Sequence, residues 1–297
     1  MGKVLAETFA PARRVFQEVD DALSQKLSKI MWEGPQSDLT LTENAQPAIM
    51  AASLAVIAVL KQEAGLDFAK HARLVAGHSL GEYSALAAAG AFTLADTARL
   101  LKARGQAMQS AVPVGEGAMT ALIGADIETA EAVAKEAAQG QICVIANDNA
   151  PGQVVLSGDK AAIDRAAEIA KAKGVKRAIP LSVSAPFHCI LMQPAADVMR
   201  EALAKVTIHP PAVPVLANFT AQETAEPDTI RGWLVEQVTN RVRWRESMLA
   251  LRSLGVDTTV EMGGNKVLTG MVKRIDKELQ TITLDTPAEI EAFARSL

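Results

Sequence analysis

Residues 74–86 read LVAGHSLGEYSAL and combine an apolar run, a serine between two glycines and a run of helix-forming residues. The first three residues are typical of a buried strand and the last five of a helix. Gly77 and Gly81 flank Ser79 as in a G-x-S-x-G nucleophile elbow, which requires this strand–turn–helix context. Because a Cβ on either side of so sharp a turn would clash, we expect both glycines to be needed.

The motif predicts that Ser79 is a nucleophile. A helix that begins directly behind the serine directs free N–H groups and the positive end of its dipole at the reacting centre. The N–H of Leu80 is therefore the expected oxyanion donor. A chance match to the motif is the alternative, and the strand–turn–helix context argues against it.

A serine nucleophile needs a base, and the chain has four histidines. His71 lies among polar residues and His209 precedes two prolines, so we expect both at the surface. His78 adjoins Ser79, and because neighbouring side chains diverge on such a turn, we expect it in a core or supporting role. His188 remains, at a turn after a strand, as the predicted base or else a structural histidine. No acid is obviously placed to orient it, and a backbone carbonyl could equally hold one tautomer.

Arg104 lies in the middle of an apolar face of the helix predicted from Leu94 to Ala111. A buried charge must find an anion or cost on the order of several kcal/mol. One interpretation is an internal carboxylate partner. The other is a substrate carboxylate held by the guanidinium fork. The pattern leaves both open.

Two further polar groups have structural interpretations. Asn147, Asn149 and Gln153 surround Pro151-Gly152, which predicts a turn with self-bonding asparagines. Two basic sets are expected to be solvated helix faces, with docking of an acidic partner protein as the alternative. The first set comprises Arg241, Arg243 and Arg245, and the second comprises Lys266, Lys273, Arg274 and Lys277.

Two styles of sequence alternate along the chain. Residues 1–114 and 186–297 mix helices with short strands, which predicts an α/β core with a parallel sheet. Residues 115–185 follow the order β-α-β-β-α-β, which predicts a ferredoxin-like subdomain inserted into that core.

Composition excludes several classes of function. The net charge of −4 is not the positive charge that is typical of nucleic-acid-binding proteins. The apolar stretch from Ala48 to Leu60 is far shorter than the roughly 20 residues of a membrane span, so we expect a buried helix and no membrane partner. Cys143 and Cys189 are too few for a disulfide scaffold or a zinc cluster, which favours a reducing compartment. The N-terminal residues lack the apolar core of a secretory signal, and a cytoplasmic location is expected.

A series of short motifs extends along nearly the whole chain. It comprises Gln46-Pro47-Ala48, residues 77–86, Arg104-Gly105, Met108-Gln109, Asn149 with residues 151–155, Pro186-Phe187-His188-Cys189, Leu191-Met192, Gln237 with Asn240 and Trp244, and residues 266–270. In this order the motifs resemble the malonyl-CoA:acyl carrier protein transacylases of bacterial fatty-acid synthesis. A lone elbow is not specific, whereas the ordered series is.

The resemblance implies transfer of a malonyl group from malonyl-CoA to the phosphopantetheine thiol of acyl carrier protein, in a ping-pong reaction without metal or redox cofactor. Ser79 would be acylated and His188 would be its base. The backbone carbonyl of Gln237 would orient His188, and Arg104 would bind the malonyl carboxylate. The implied fold is an α/β-hydrolase-like core with a ferredoxin-like insert.

Three more residues acquire roles from the resemblance. Phe187, directly before the histidine, resembles the form of the motif that selects malonyl over branched acyl groups. Met108 and Gln46 would line the acyl pocket.

The sequence departs from the family pattern in three places. The family begins with a strand and a Gly-Gln-Gly-Ser-Gln loop whose first glutamine supplies an oxyanion N–H. This sequence aligns from Met1, just after that loop, so either the sequence is truncated or the protein lacks a core strand and half of the oxyanion hole. Arg241 replaces a proline of the family, and residues 263–265 read Gly-Gly-Asn in place of Gly-Pro-Gly.

Two other functions are compatible with parts of the sequence. A serine esterase or thioesterase would use the same elbow, with Asp148, Asp159 or Asp164 as the acid, but no His-Gly-Gly-Gly loop is visible and Arg104 would be unexplained. A non-catalytic binder of acyl carrier protein would retain the partner and lose turnover.

Overall fold

The computed structural model describes residues 1–183, 185–263 and 265–297. Ser184, in the segment ahead of His188, and Gly264, in the predicted turn at 263–265, lie outside the described residues.

Helices form much of the described chain. They are α1 (Lys3–Thr8), α2 (Ala10–Leu23), α3 (Leu27–Glu33), α4 (Gln36–Thr40), α5 (Thr42–Ala64), α6 (Phe68–His71), α7 (Leu80–Ala88), α8 (Leu94–Ser110), α9 (Ile127–Ala138), α10 (Lys160–Ala172), α11 (Gln193–Ala204), α12 (Pro227–Thr239), α13 (Trp244–Ala250), α14 (Val267–Ile275) and α15 (Pro287–Ala294). A 3₁₀ turn at Ile190–Met192 leads into α11.

The strands are β1 (Val75–Ala76), β2 (Gly117–Ile123), β3 (Cys143–Ala150), β4 (Gln153–Asp159), β5 (Arg177–Pro180), β6 (Val215–Leu216), β7 (Glu223–Thr224), β8 (Thr258–Met262) and β9 (Gln280–Leu284). β1 pairs in parallel with β6, and β6 pairs in antiparallel fashion with β7. β8 and β9 form a separate parallel pair.

This arrangement corrects the expected parallel core sheet, because the described strands outside residues 115–185 form two sheets, one of them mixed. The antiparallel pair arises where the chain folds back over residues 217–222, a short connection that only antiparallel neighbours permit. The molecule is an α/β protein with mixed sheets.

The middle of the chain forms a four-stranded antiparallel sheet in the order β3-β4-β2-β5. α9 and α10 pack on one face of it, where their alanines and Ile163 meet Leu122 and Leu156. The other face carries Met119, Ala121 and Val155, against which Phe187 packs. The predicted order β-α-β-β-α-β of this segment is confirmed, as β2, α9, β3, β4, α10 and β5.

The packing of α5 against α8 fixes one wall of the site. A Cβ at Gly105 would lie 2.4 Å from the Cα of Glu43, so only glycine permits the two helices to approach so closely. Thr93 is the N-cap of α8, and its side-chain oxygen accepts a hydrogen bond from the Asp96 N–H. Arg104 is thereby held beside the first turns of α5.

Among the described residues, α5 is the one helix whose length and composition would allow it to cross a membrane. Most of its apolar stretch is buried inside the protein, as in the core helix of a soluble domain.

Candidate active site

Ser79 lies in a strained turn between the carboxyl end of β1 and the first residue of α7. Its φ of 52° and ψ of −111° are unusual for a residue with a Cβ, and such strain persists only where the surrounding structure enforces it. A Cβ at Gly77 would lie 2.0 Å from the carbonyl oxygen of Gly81, so the turn requires glycine there.

The prediction that a Cβ at Gly81 would also clash is wrong. Nothing lies within 4 Å of the position that a Cβ would occupy on Gly81. Gly81 lies in the first turn of α7 without a positive φ, so its backbone does not need glycine.

Asn218 holds the elbow from the end of β6. Its side-chain oxygen accepts a hydrogen bond of 2.6 Å from the N–H of Ser79, and its amide donates one of 2.8 Å to the carbonyl of Gly77. The residue is fully buried, so both bonds are shielded from water. One side chain therefore joins Gly77 to Ser79 and holds the turn that leads into the strained serine.

Ser79, His188 and Gln237 form a continuous hydrogen-bonded chain. The Ser79 Oγ lies 2.9 Å from His188 Nε2, and His188 Nδ1 lies 2.9 Å from the backbone carbonyl of Gln237. Because a carbonyl only accepts, Nδ1 carries the proton and Nε2 is free to accept from the serine. A serine hydroxyl bonded to a neutral, oriented imidazole can act as a nucleophile.

His188 is held in its neutral form. Burial, followed by the nearby guanidinium of Arg104, lowers its pKa to about 3. Its φ of 57° is left-handed, so both Ser79 and His188 are in conformations that side chains rarely adopt.

Arg104 is 1% exposed and reaches the same serine. Its Nη2 donates to Ser79 Oγ at 3.0 Å and to Gln237 Oε1 at 2.9 Å, and its Nη1 donates to Gln46 Oε1 at 2.7 Å. No carboxylate among the described residues bonds to it, and its Nε has no partner there. Of the two interpretations left open by the sequence, a directly bonded internal carboxylate is therefore wrong.

The remaining predicted site residues lie around this centre. Gln46 and Met108 are buried side by side, with 3.7 Å between Gln46 Nε2 and Met108 Sδ. Phe187 packs between the main core and the middle sheet. The N–H of Leu80 opens α7, and no hydrogen bond from it occurs within the described residues, as is usual for the first turn of a helix.

The other histidines lie where the sequence predicted. His71 and His209 are exposed. His78 is half-buried, its Nε2 lies 2.8 Å from the side-chain oxygen of Asn149, and its ring packs against Trp244. Among the described residues, His188 is thus the one histidine that hydrogen-bonds to the Ser79 side chain.

The predicted asparagine turn is wrong in part. Pro151-Gly152 does form the turn, but Asn147 and Asn149 lie buried in β3. The register of β3 shifts on either side of Asn147 and Asp148, and such irregularities redirect side chains. Asn149 bonds to His78 instead of to its own backbone.

The solvated-face interpretation also fails for part of the first basic set. Arg245 bonds through two nitrogens to the buried carboxylate of Asp148, joining α13 to β3. Arg243 pairs with Glu246 and Arg241 contacts Glu131. These three arginines therefore form ion pairs within the protein.

The three acids considered for a hydrolase lie elsewhere. Asp148 is occupied by Arg245, Asp159 accepts from the N–H of Ile142, and Asp164 pairs with Lys160. None of them contacts His188.

Sequence reasoning missed two buried residues beside the elbow, Glu82 and Asn218. Glu82 Oε2 accepts from Gln237 Nε2 at 2.7 Å and from the Asn218 N–H at 3.1 Å. Burial raises the pKa of Glu82 to about 7, against the lowering effect of these two hydrogen bonds. The available signal was a single acid within the apolar run at 80–92.

No group of three or more His, Cys, Asp or Glu side chains within the described ranges is placed to bind a metal ion. Both cysteines are free and buried.

Comparison with known proteins identifies the family of this chain. The model of the acyl transferase domain family matches residues 1–286. The malonyl CoA-acyl carrier protein transacylase of Bacillus subtilis is 44% identical, over 100% of this chain and 92% of its own length. The acyl-carrier-protein-S-malonyltransferase of Bartonella henselae superposes with a TM-score of 0.97 at 55% identity, covering 100% of this chain and 94% of the other.

A second similar structure was solved with a partner bound. It is a malonyl-transacylase in complex with a type II PKS acyl-carrier protein, 40% identical with a TM-score of 0.96, and it covers 100% of this chain and 95% of the other. On these identities and coverages, the chain belongs to the acyl transferase family and, within it, to the malonyl CoA-acyl carrier protein transacylases.

Proposed function

We propose that this chain transfers a malonyl group from malonyl-CoA to the phosphopantetheine thiol of an acyl carrier protein, with Ser79 carrying the malonyl group between them. The observation that carries the proposal is the convergence of His188 Nε2 and Arg104 Nη2 on one oxygen, Ser79 Oγ. A base and a buried cation at the reacting oxygen suit an acyl group that bears its own carboxylate. The names of the relatives support the same substrate and partner.

In the first half-reaction His188 Nε2 takes the proton of Ser79 as its Oγ attacks the thioester carbonyl carbon. A tetrahedral oxyanion forms and collapses with cleavage of the carbon–sulfur bond. The departing coenzyme A sulfur takes the proton from His188. The products are malonyl-Ser79 and free coenzyme A, and the histidine is neutral again.

The N–H of Leu80 is the proposed donor to the oxyanion. It lies at the first position of α7, where N–H groups lack helical partners and the helix dipole is positive. One such donor is worth roughly a hundred- to a thousandfold in rate.

In the second half-reaction the thiol of acyl carrier protein loses its proton to His188 and attacks the ester carbonyl. The bond to Ser79 Oγ breaks, and the serine recovers a proton from the imidazolium. Because acyl transfer changes no oxidation state and the thioester is already activated, the proposed reaction needs no metal or redox cofactor.

Arg104 is the proposed site for the malonyl carboxylate. Gln46 and Gln237 hold the guanidinium from the side, and its unbonded Nε retains a donor. Since an uncharged acyl group would leave this buried cation without an anion, the pocket favours dicarboxylic acyl groups. Phe187, Met108 and Gln46 would complete the wall of the pocket.

We also propose the finer architecture and a cytoplasmic location. Residues 1–114 and 186–297 would form an α/β-hydrolase-like core, which the position of Ser79 after a strand of a parallel pair supports. Residues 115–185 would form a ferredoxin-like insert, which the strand order β3-β4-β2-β5 with both helices on one face supports. The free cysteines favour a reducing compartment.

The test is intact-protein mass spectrometry after brief mixing with malonyl-CoA, with Ser79→Ala as the matched control. We expect the wild-type chain to gain the mass of one malonyl group and to lose it when the pantetheinylated carrier protein is added. The control should gain nothing. A malonyl adduct that survives in the control, or release of malonate to water at the rate of transfer, would contradict the proposal.

A further inference from the structure

A buried carboxylate lies one side chain away from Arg104. Glu82 is 2% exposed and lies three residues after Ser79, in the first turn of α7. It does not contact the guanidinium, and the side chain of Gln237 from α12 lies between them. None of the proposed catalytic steps uses Glu82.

The hydrogen-bond partners of the Gln237 side-chain amide fix its orientation. Its Nε2 donates to Glu82 Oε2 at 2.7 Å and to the carbonyl of Ser79 at 3.1 Å, and its Oε1 accepts from Arg104 Nη2 at 2.9 Å. Reversal of the amide would set its oxygen against the carboxylate and its NH₂ against the guanidinium. When Glu82 is ionised, both contacts would be repulsive, because an ionised carboxylate only accepts and a guanidinium only donates.

Gln237 therefore serves two parts of the site from one residue. Its backbone carbonyl holds His188 Nδ1, and its side-chain oxygen holds Arg104. The backbone of α12 fixes the carbonyl, whereas the side-chain amide depends on what its nitrogen bonds to. Glu82 is the charged partner of that nitrogen.

We propose that Glu82 is a positioning residue that acts through the Gln237 side chain to hold Arg104 ready for the carboxylate of a dicarboxylic acyl group. The inference rests on the proposed function of Arg104. It predicts that Glu82 governs the preference for malonyl over acetyl groups, in addition to any contribution to folding.

The test compares acylation of Ser79 by malonyl-CoA and by acetyl-CoA in Glu82→Gln, each as kcat/KM, at a pH above the Glu82 pKa of about 7 so that the wild-type carboxylate is ionised. Since the new amide can donate as well as accept, it permits Gln237 to reverse and Arg104 to lose an acceptor. We expect the malonyl-to-acetyl ratio to fall about tenfold, the scale of one charge-assisted hydrogen bond. Glu236→Gln, the same substitution at the exposed neighbour of Gln237, should leave the ratio unchanged.

A double-mutant cycle separates positioning from a merely structural role. Gln237→Ala removes the amide and retains the backbone carbonyl that bonds to His188. If Glu82 acts through this amide, Glu82→Gln in the Gln237→Ala background has no further effect on the ratio. If Glu82 had only a structural role, Glu82→Gln would lower kcat/KM equally for malonyl-CoA and acetyl-CoA. That result would overturn the proposal.

Gln237→Ala and Gln237→Glu keep the test decisive even if Glu82→Gln does not fold. We expect Gln237→Ala alone to lower the ratio to a similar degree. Gln237→Glu sets a carboxylate against Arg104, and the malonyl preference should be almost abolished. An unchanged ratio in both variants would refute the relay, while failure of the wild-type chain to form malonyl-Ser79 would instead refute the proposed function.

Discussion

Replacement of Arg104 by alanine gives the most direct test of substrate selection. The guanidinium is 1% exposed and bonds to Ser79, Gln46 and Gln237. A malonyl carboxylate would form charge-assisted hydrogen bonds with it, whereas an acetyl group offers none. Each such bond contributes about 1.5–3 kcal/mol, so two amount to about 3–6 kcal/mol.

In rate terms this difference is about one hundred- to ten-thousandfold. We expect kcat/KM for malonyl-CoA to fall by that factor in Arg104→Ala. Acylation by acetyl-CoA should continue, because Ser79, His188 and Leu80 are retained. The malonyl preference should therefore disappear through loss of the malonyl rate.

The same substitution disturbs the free protein, and the assay must separate the two effects. Gln46 and Gln237 lose a donor to their side-chain oxygens, which costs on the order of 1–3 kcal/mol each. Removal of a buried cation offsets part of this cost. Thermal unfolding reports the stability, and rapid-quench acylation with each thioester, detected by mass, reports the selectivity.

Arg99→Ala is the matched control on the same helix. Its side chain is largely exposed and pairs with Asp96, so its loss should change stability by less than about 1 kcal/mol and leave selectivity unaltered. If folded Arg104→Ala retains the wild-type malonyl-to-acetyl ratio, the carboxylate is bound elsewhere and the assignment of Arg104 is refuted.

Two further predictions follow from the elbow and its base. Gly77→Ala should fail to fold or unfold at a much lower temperature, because its Cβ would lie 2.0 Å from a carbonyl oxygen, whereas Gly81→Ala should unfold near the wild-type temperature; equal effects in a thermal scan would contradict the geometry. Burial and Arg104 hold the pKa of His188 at about 3, so the imidazole stays neutral as pH falls through its ordinary value of 6.5. Acylation by acetyl-CoA, which does not depend on the positioning of Arg104 by Glu82, should therefore show no acid limb near 6.5, and Arg104→Ala should raise the pKa of His188. A limb at 6.5 for acetyl-CoA in the wild-type chain would refute the shift.

The elbow and the middle sheet were predictable because their signals are local. G-x-S-x-G between an apolar run and a helix identified the turn at Ser79, and the alternation of patterns over residues 115–185 predicted each element there. The turn at Pro151-Gly152 was also predicted correctly. Asn149 was assigned to that turn because asparagine is frequent in turns, and its actual partner, His78, is 71 residues away in the sequence.

What could not be predicted was the pairing of distant polar residues. Arg245 looks like one more surface cation until Asp148, 97 residues earlier, is brought beneath it by an irregular strand. The mixed sheet likewise depends on where β7 folds back, and a strand of two residues carries almost no pattern of its own. Composition and spacing describe neighbours along the chain, whereas these contacts depend on the folded chain.

The same distinction explains why Ser79 was found and its supports were not. The serine lies inside its own motif, while the groups that hold it come from the end of β6 and from α12, more than 130 residues later. Glu82 belongs to the motif but acts toward α12, so its neighbours in the sequence do not reveal its role. Three buried polar residues, Glu82, Asn218 and Gln237, satisfy one another and hold the strained turn, the imidazole and the guanidinium at once. Because such a network is stable only when every member is bonded, a substitution at one member should weaken the hydrogen bonds of the other two.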